Sequence, residues 1–297
     1  LANCSSLHSL KLSNFDTSNV QDMSYMFSHC ESLFTIDLNN LITNKVIDMS
    51  HMFQECISLS EIIIDNFDTS QVTDMSSMFD NCCSLTSINL GKFNTKNVKN
   101  MSSMFYFCSN LNSIDISNFD TSSVTNFSKM FYMMRSLSSI DLKNFNTKSA
   151  KDTSFMFYHC ISLRELDLSS FETDNVENMS YMFESCLSLN SLNIEKFKTA
   201  KVTDMTSMFR DCNMLGKLDV SNFNTALVTS TSKMFSNCPM LTSLDVSNFN
   251  TKNVKDMSYM FQFCKNVLSL DVSKFDTSQV IDMSNMFRNS YSLTNID

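Results

Sequence analysis

Glycine, proline and arginine are nearly missing from this chain: two, one and four residues in 297. All three have GC-rich codons, while Asn, Lys, Phe, Ile and Ser abound. That bias describes the coding sequence and carries no information about activity. Positive charge is also short, with 22 Lys and Arg against 31 Asp and Glu, a net charge of −9 and a pI near 4.9. A nucleic-acid footprint needs a basic face, and an anionic membrane surface attracts one, so neither is an expected partner. No apolar run approaches the length of a membrane span. The four histidines, His8, His29, His51 and His159, have no nucleophile recurring beside them, and no converging polar pocket can be read. Neither an enzyme nor a cofactor is expected.

What the chain does have is a repeat. The pair Met26-Phe27 returns every 26 residues, without insertion or deletion, to Met286-Phe287. A fixed period of this length marks a solenoid, in which each unit buries its apolar face only against its neighbours. The first full unit reads Leu7-x-x-Leu10-x-Leu12-x-x-Phe15-x-Thr17-x-x-Val20-x-x-Met23-x-x-Met26-Phe27-x-x-Cys30. Leu10-x-Leu12 has the period of a short strand. Val20, Met23, Met26-Phe27 and Cys30 have the spacing of one helical face, and the column headed by Asp22 sits where it could cap a helix or 3₁₀ turn. The expectation is therefore an α/β repeat solenoid of about eleven coils. Each coil holds one short strand, stacked in parallel on its neighbours about 4.8 Å apart, and one short helix or 3₁₀ segment. The unbroken register predicts a single array over residues 1–297, and because it opens and stops inside a repeat, a fragment or mature segment of a longer protein.

Leu7-x-x-Leu10-x-Leu12 resembles the strand signature of leucine-rich repeats. With the later Met-Phe-x-x-Cys segment, lines such as Ser243–Cys264, SLDVSNFNTKNVKDMSYMFQFC, look like the 26-residue unit of BspA-type leucine-rich-repeat surface proteins. The likeness covers the whole chain. It implies right-handed coils, a cell-surface or extracellular location, and a non-enzymatic role in adhesion or interaction. The chain departs from the family's unit in having almost no Gly near the Cys.

Four columns of the repeat are candidates for chemistry. Ten cysteines share one column, interrupted by Met134 and Ser290, with Cys83 alone outside it. Zinc sites need close pairs from different segments, and parallel stacking suits disulfides poorly, so buried free thiols are expected, with Cys83 the reactive one. Thr17 heads eleven threonines without exception, expected to satisfy the turn backbone in every coil. The third column, Asp37, Asp115, Asp141, Asp167, Asp219, Asp245, Asp271 and Asp297, faces outward on the strand. Like carboxylates at strand spacing repel, so some are expected to have raised pKa values or to attract cations. Asp115, Asp141, Asp167, Asp219, Asp245 and Asp271 are the cation candidates, against the alternative of a solvated acidic stripe. In the fourth, the Met-Phe columns, core filling outweighs a promiscuous Met surface.

Variation concentrates at outward strand positions and at the residue preceding each Met-Phe pair. This gives Asp37, Phe34, Arg164, Asp167, Tyr25 and Tyr181 as binding-face candidates. The expected partner is a protein or a glycan, or, in the alternative of a fibre subunit stacking head to tail, other copies of the chain itself.

Overall fold

The computed structural model describes residues 1–296, so Asp297 of the acidic column lies outside the described residues. Two compact units are formed, Leu1–Ser149 and the part from Ala150 on. Both are built from the same coil, and the core of each is a stack of identical columns. Val46, Met49, Met52, Phe53, Cys56 and Leu59 of one coil are 0% exposed, as are Val202, Met205, Met208, Phe209, Cys212 and Leu215 in the second unit.

The strands are where the period of two places them. β1 (Thr35–Asp37) pairs in parallel with β2 (Glu61–Ile63) in the first unit. In the second, β3 (Glu165–Asp167) pairs with β4 (Ser191–Asn193), and β5 (Ser269–Leu270) with β6 (Asn295–Ile296). The central residue of β1 and of β3, Ile36 and Leu166, points inward, while its neighbours are exposed. Among the described residues the expected continuous sheet is not made, however. The strands close only in these pairs, and among the described residues no backbone hydrogen bond joins Lys217–Asp219 to Ser243–Asp245.

No helix forms among the described residues, which corrects the expected helix or 3₁₀ segment. Its place is taken by a ladder of turns. Met75, Ser77, Phe79 and Asn81 donate their N–H groups to the carbonyls of Asn100, Ser102, Met104 and Tyr106 in the next coil, at 2.7–3.0 Å. Between these rungs, Met78, Asp80 and Cys82 bond back three residues to Met75, Ser77 and Phe79. Ser77 and Asn81 have φ of 53° and 55°, the left-handed value such turns demand. With alternate N–H groups committed to the neighbouring coil, the i→i−4 bonds of an α-helix have no donors left. The ladder recurs in both units, so it, rather than the sheet, sets the distance between coils. The Phe rings stack accordingly, nearly parallel, with centroids 5.4 Å apart for Phe27–Phe53 and 5.6 Å for Phe183–Phe209.

Candidate binding surfaces

The Thr and Cys columns belong to the scaffold. Thr121 Oγ1 donates to Asn146 O at 3.0 Å and accepts from Asn146 N at 2.8 Å, and Thr225 does the same with Asn250. The hydroxyl is inserted into the inter-coil ladder as a rung, which is why no other residue replaces it. The cysteines of the column are free, and burial pushes the Cys56, Cys186 and Cys264 thiols up to about 12. They are more than filler. Cys56 Sγ donates to Phe27 O at 3.1 Å, and the contact repeats from Cys82, Cys108, Cys186, Cys212, Cys238 and Cys264 to the matching Phe carbonyl. Ser290, the odd residue in this column, makes the same bond from its hydroxyl to Phe261 O at 2.6 Å. Cys83 is half-buried and points to Ile57 O at 3.4 Å. The Asp22 column, expected to cap helices, closes Asx turns instead: Asp22, Asp48 and Asp74 each accept the N–H two residues on at 2.8 Å.

The outward carboxylates of the strand column do likewise. Asp37 accepts from Asn39 N, Asp167 from Ser169 N, and Asp245 from Ser247 N, each at 3.0 Å. Asp115, Asp219, Asp245 and Asp271 accept both the N–H and the hydroxyl of the serine two residues on. The serine hydroxyl first, then its N–H, holds Asp115, Asp219 and Asp271 below the usual carboxylate range, opposite to the raised values expected, at these three positions. A local hydrogen bond to the charged form outweighs repulsion between exposed carboxylates because water screens the latter. Asp141 is also 3.7 Å from Lys143 Nζ, and Asp167 accepts from Asn193 Nδ2 at 3.1 Å. Among the described residues no group of three or more His, Cys, Asp or Glu side chains is placed to hold a metal.

The binding-face candidates fall on two segments of the coil. Phe34 (61% exposed) precedes β1 and Asp37 ends it, and Arg164 precedes β3 and Asp167 ends it, all exposed on the strand side. Tyr25 and Tyr181 lie instead on the turn ladder, stacked on His51 and Phe155 with ring centroids 4.4 Å apart in both cases. Where the strands fail to pair, the strand side opens. In the second unit a groove of about 630 Å³ is lined by Lys217, Leu218, Asp219, Leu244, Asp245 and Asp271, among others.

Two polar networks on the turn ladder are not legible in the columns. Asp80 is half-buried, takes a 3.0 Å bond from Gln54 Nε2, and is pushed up to about 6, chiefly by burial. Glu184, 4% exposed, meets Arg210 Nη1 at 3.0 Å, and burial raises its pKa against the guanidinium's opposing pull.

Residues 1–63, 59–163, 132–243 and 216–297 match the family described as Mycoplasma protein of unknown function, DUF285, and the chain belongs to that family. No curated protein matches it. Among solved structures, a leucine-rich repeat protein from Bacteroides ovatus is similar over 100% of this chain and 79% of its own, at 17% identity and a TM-score of 0.53. A leucine-rich cell surface protein from Faecalibacterium prausnitzii is covered over 74% of its length by the whole of this chain, at 17% identity and a TM-score of 0.40. A leucine-rich repeat protein from Eubacterium ventriosum matches 78% of this chain and 62% of its own, at 19% and 0.45. The fold is thus a leucine-rich-repeat solenoid, and the resemblance to BspA-type proteins stands at the level of that fold. No helix among the described residues is long and apolar enough to cross a membrane.

Proposed function

We propose that this protein is a non-enzymatic interaction module, displayed at a cell surface or outside the cell, that holds a protein or glycan partner on its strand side. The observation that carries this reading is the open groove over Leu218 and Leu244, rimmed by Asp219, Asp245 and Asp271. There the scaffold leaves backbone groups unpaired beside a row of exposed carboxylates, a combination that suits a partner with a basic, hydrogen-bonding surface. The same side carries Phe34, Arg164 and Gly216, residues that vary from coil to coil while the core columns do not. The family resemblance supports the location and the adhesive role.

The test is binding to an array of immobilised glycans and basic peptides by the protein and by an Asp219→Asn/Asp245→Asn/Asp271→Asn variant. Asn keeps the turn bond to the N–H two residues on, as Asn89 does for Gly91 at 3.1 Å, so the fold is retained while the charge is lost. Loss of binding in the variant is the expected result. Equal binding by both proteins would contradict the assignment of the strand side.

A further inference from the structure

The charge of the first unit is divided along its length. Residues 1–91 hold two Lys and eleven Asp or Glu, whereas residues 92–149 hold seven Lys or Arg and three Asp. On the turn ladder the division is complete. The ladder segments of the first three coils, residues 23–33, 49–59 and 75–85, carry Glu31, Glu55 and Asp80 and no Lys or Arg. Those of the next two, residues 101–111 and 127–137, carry Lys129 and Arg135 and no carboxylate.

The basic end is also the aromatic end. Tyr106 and Tyr132 stack at 4.4 Å and 7°, and the Arg135 guanidinium lies 5.2 Å over the Phe107 ring. Tyrosine, phenylalanine, methionine and arginine are the residues enriched in protein interfaces, and Met133 completes the set. Stacking covers one face of each tyrosine ring with the other, and the edges of a ring are its electropositive part. A carboxylate arriving at this end finds ring edges and the exposed Arg135.

The carboxylates with matching spacing are on the same surface. Glu31 and Arg135 occupy the same column of the repeat, each 52 residues from Cys83, which lies in that column between them. Both are exposed. We propose that the turn ladder of the first unit pairs with that of a second copy, antiparallel, about a two-fold axis through the third coil. The operation brings Arg135 of each copy to Glu31 of the other. It sets Tyr106 and Phe107, one coil beyond the axis, against Glu55, one coil before it. The interface is isologous, so every favourable pair is made twice, and Cys83 of one copy faces Cys83 of the other. This surface is distinct from the strand-side residues of the proposed function, and its test reads self-association, so either reading can fail alone.

Light scattering of the whole protein at low ionic strength should give a dimer that dissociates as salt is added, because the pairs at the rim are screened. Arg135→Glu should move the monomer–dimer midpoint at least about tenfold higher in concentration, and Glu31→Arg/Arg135→Glu should restore it. Arg135 is exposed, so these variants are expected to fold. A short bismaleimide should link two copies through Cys83, with the link lost in Cys83→Ser and kept in Cys4→Ser. A monomer at low salt, a dimer indifferent to Arg135→Glu, or no link through Cys83 would overturn the proposal.

Discussion

A threonine hydroxyl that both donates to and accepts from the backbone of the next coil cannot be replaced by a side chain of the same shape. Thr121→Val should leave the Asn146 N–H and carbonyl without that rung and destabilise the protein by about 1–3 kcal/mol, while Thr121→Ser, which keeps the hydroxyl, should cost clearly less; thermal unfolding of the two variants distinguishes them. Asp80 makes a prediction of the opposite kind. Its pKa of about 6, against an ordinary value of 3.8, means that the folded protein binds the proton more tightly than the unfolded chain. The stability gained from this group is fully present below the ordinary value of 3.8 and is lost as pH rises from there through about 6. Asp80→Asn should therefore raise stability by about 1–2 kcal/mol at pH 8, allowing for screening at a partly exposed site, and give no gain at about pH 3, below the ordinary carboxylate value. A gain of equal size at both values would remove burial of the charge as its cause. At this scale the sequence is informative about the Thr and Cys columns, since a residue kept in every coil is doing the same thing in each. It is silent on Glu184 and Asp80, which stand among unlike residues in their columns and are buried by the neighbours that surround them.

At the scale of the element, the strand is legible and the helix is not. Leu10-x-Leu12 alternates as a strand must, and Ile36 and Leu166 point inward as that pattern demands. Met23, Met26-Phe27 and Cys30 recur at three to four residues, but two consecutive tight turns bring the same positions inward as one helical face does. The usual punctuation would separate the two cases, since left-handed turn positions commonly carry Gly or Asn. Here they carry Tyr25, His29, Lys129 and Phe155 among others, all with φ between 54° and 59°. Each such residue accepts a cost in backbone strain; Tyr25, His29 and Phe155 are held in place by N–H rungs to Ser50, Gln54 and Ser180 of the next coil. Ser103, with φ of 56° and its N–H 2.9 Å from Ser128 O, tests this. Ser103→Gly should be neutral or stabilising because it relieves the Cβ clash. Ser103→Pro should cost about 3 kcal/mol or more, because it removes the donor and fixes φ at the wrong sign. Denaturant unfolding of both reads the difference; were this segment a helix, Ser103→Gly would be destabilising instead.

At the scale of the whole molecule, the 26-residue period makes the solenoid plain, because only stacked identical units bury identical columns. What the period does not reveal is which side of the coil holds the stack together. Parallel strands are the customary answer, yet the strands here close only in pairs, while the turn ladder recurs from coil to coil within each unit. This division frees the strand side to open into a groove and to change from coil to coil without loosening the scaffold. The exposed, variable columns can be read from the repeat. Their separation onto two segments needs coordinates, since sequence alone does not show that Phe34 and Tyr25 stand on different parts of the coil. The measurement that tests this account most directly is amide hydrogen exchange across the whole protein. Turn-ladder segments such as residues 101–109 and 205–213 should be the slowest to exchange, with the unpaired strand segments 112–116 and 216–220 markedly faster. Strand segments protected as strongly as the ladder, or more so, would contradict it.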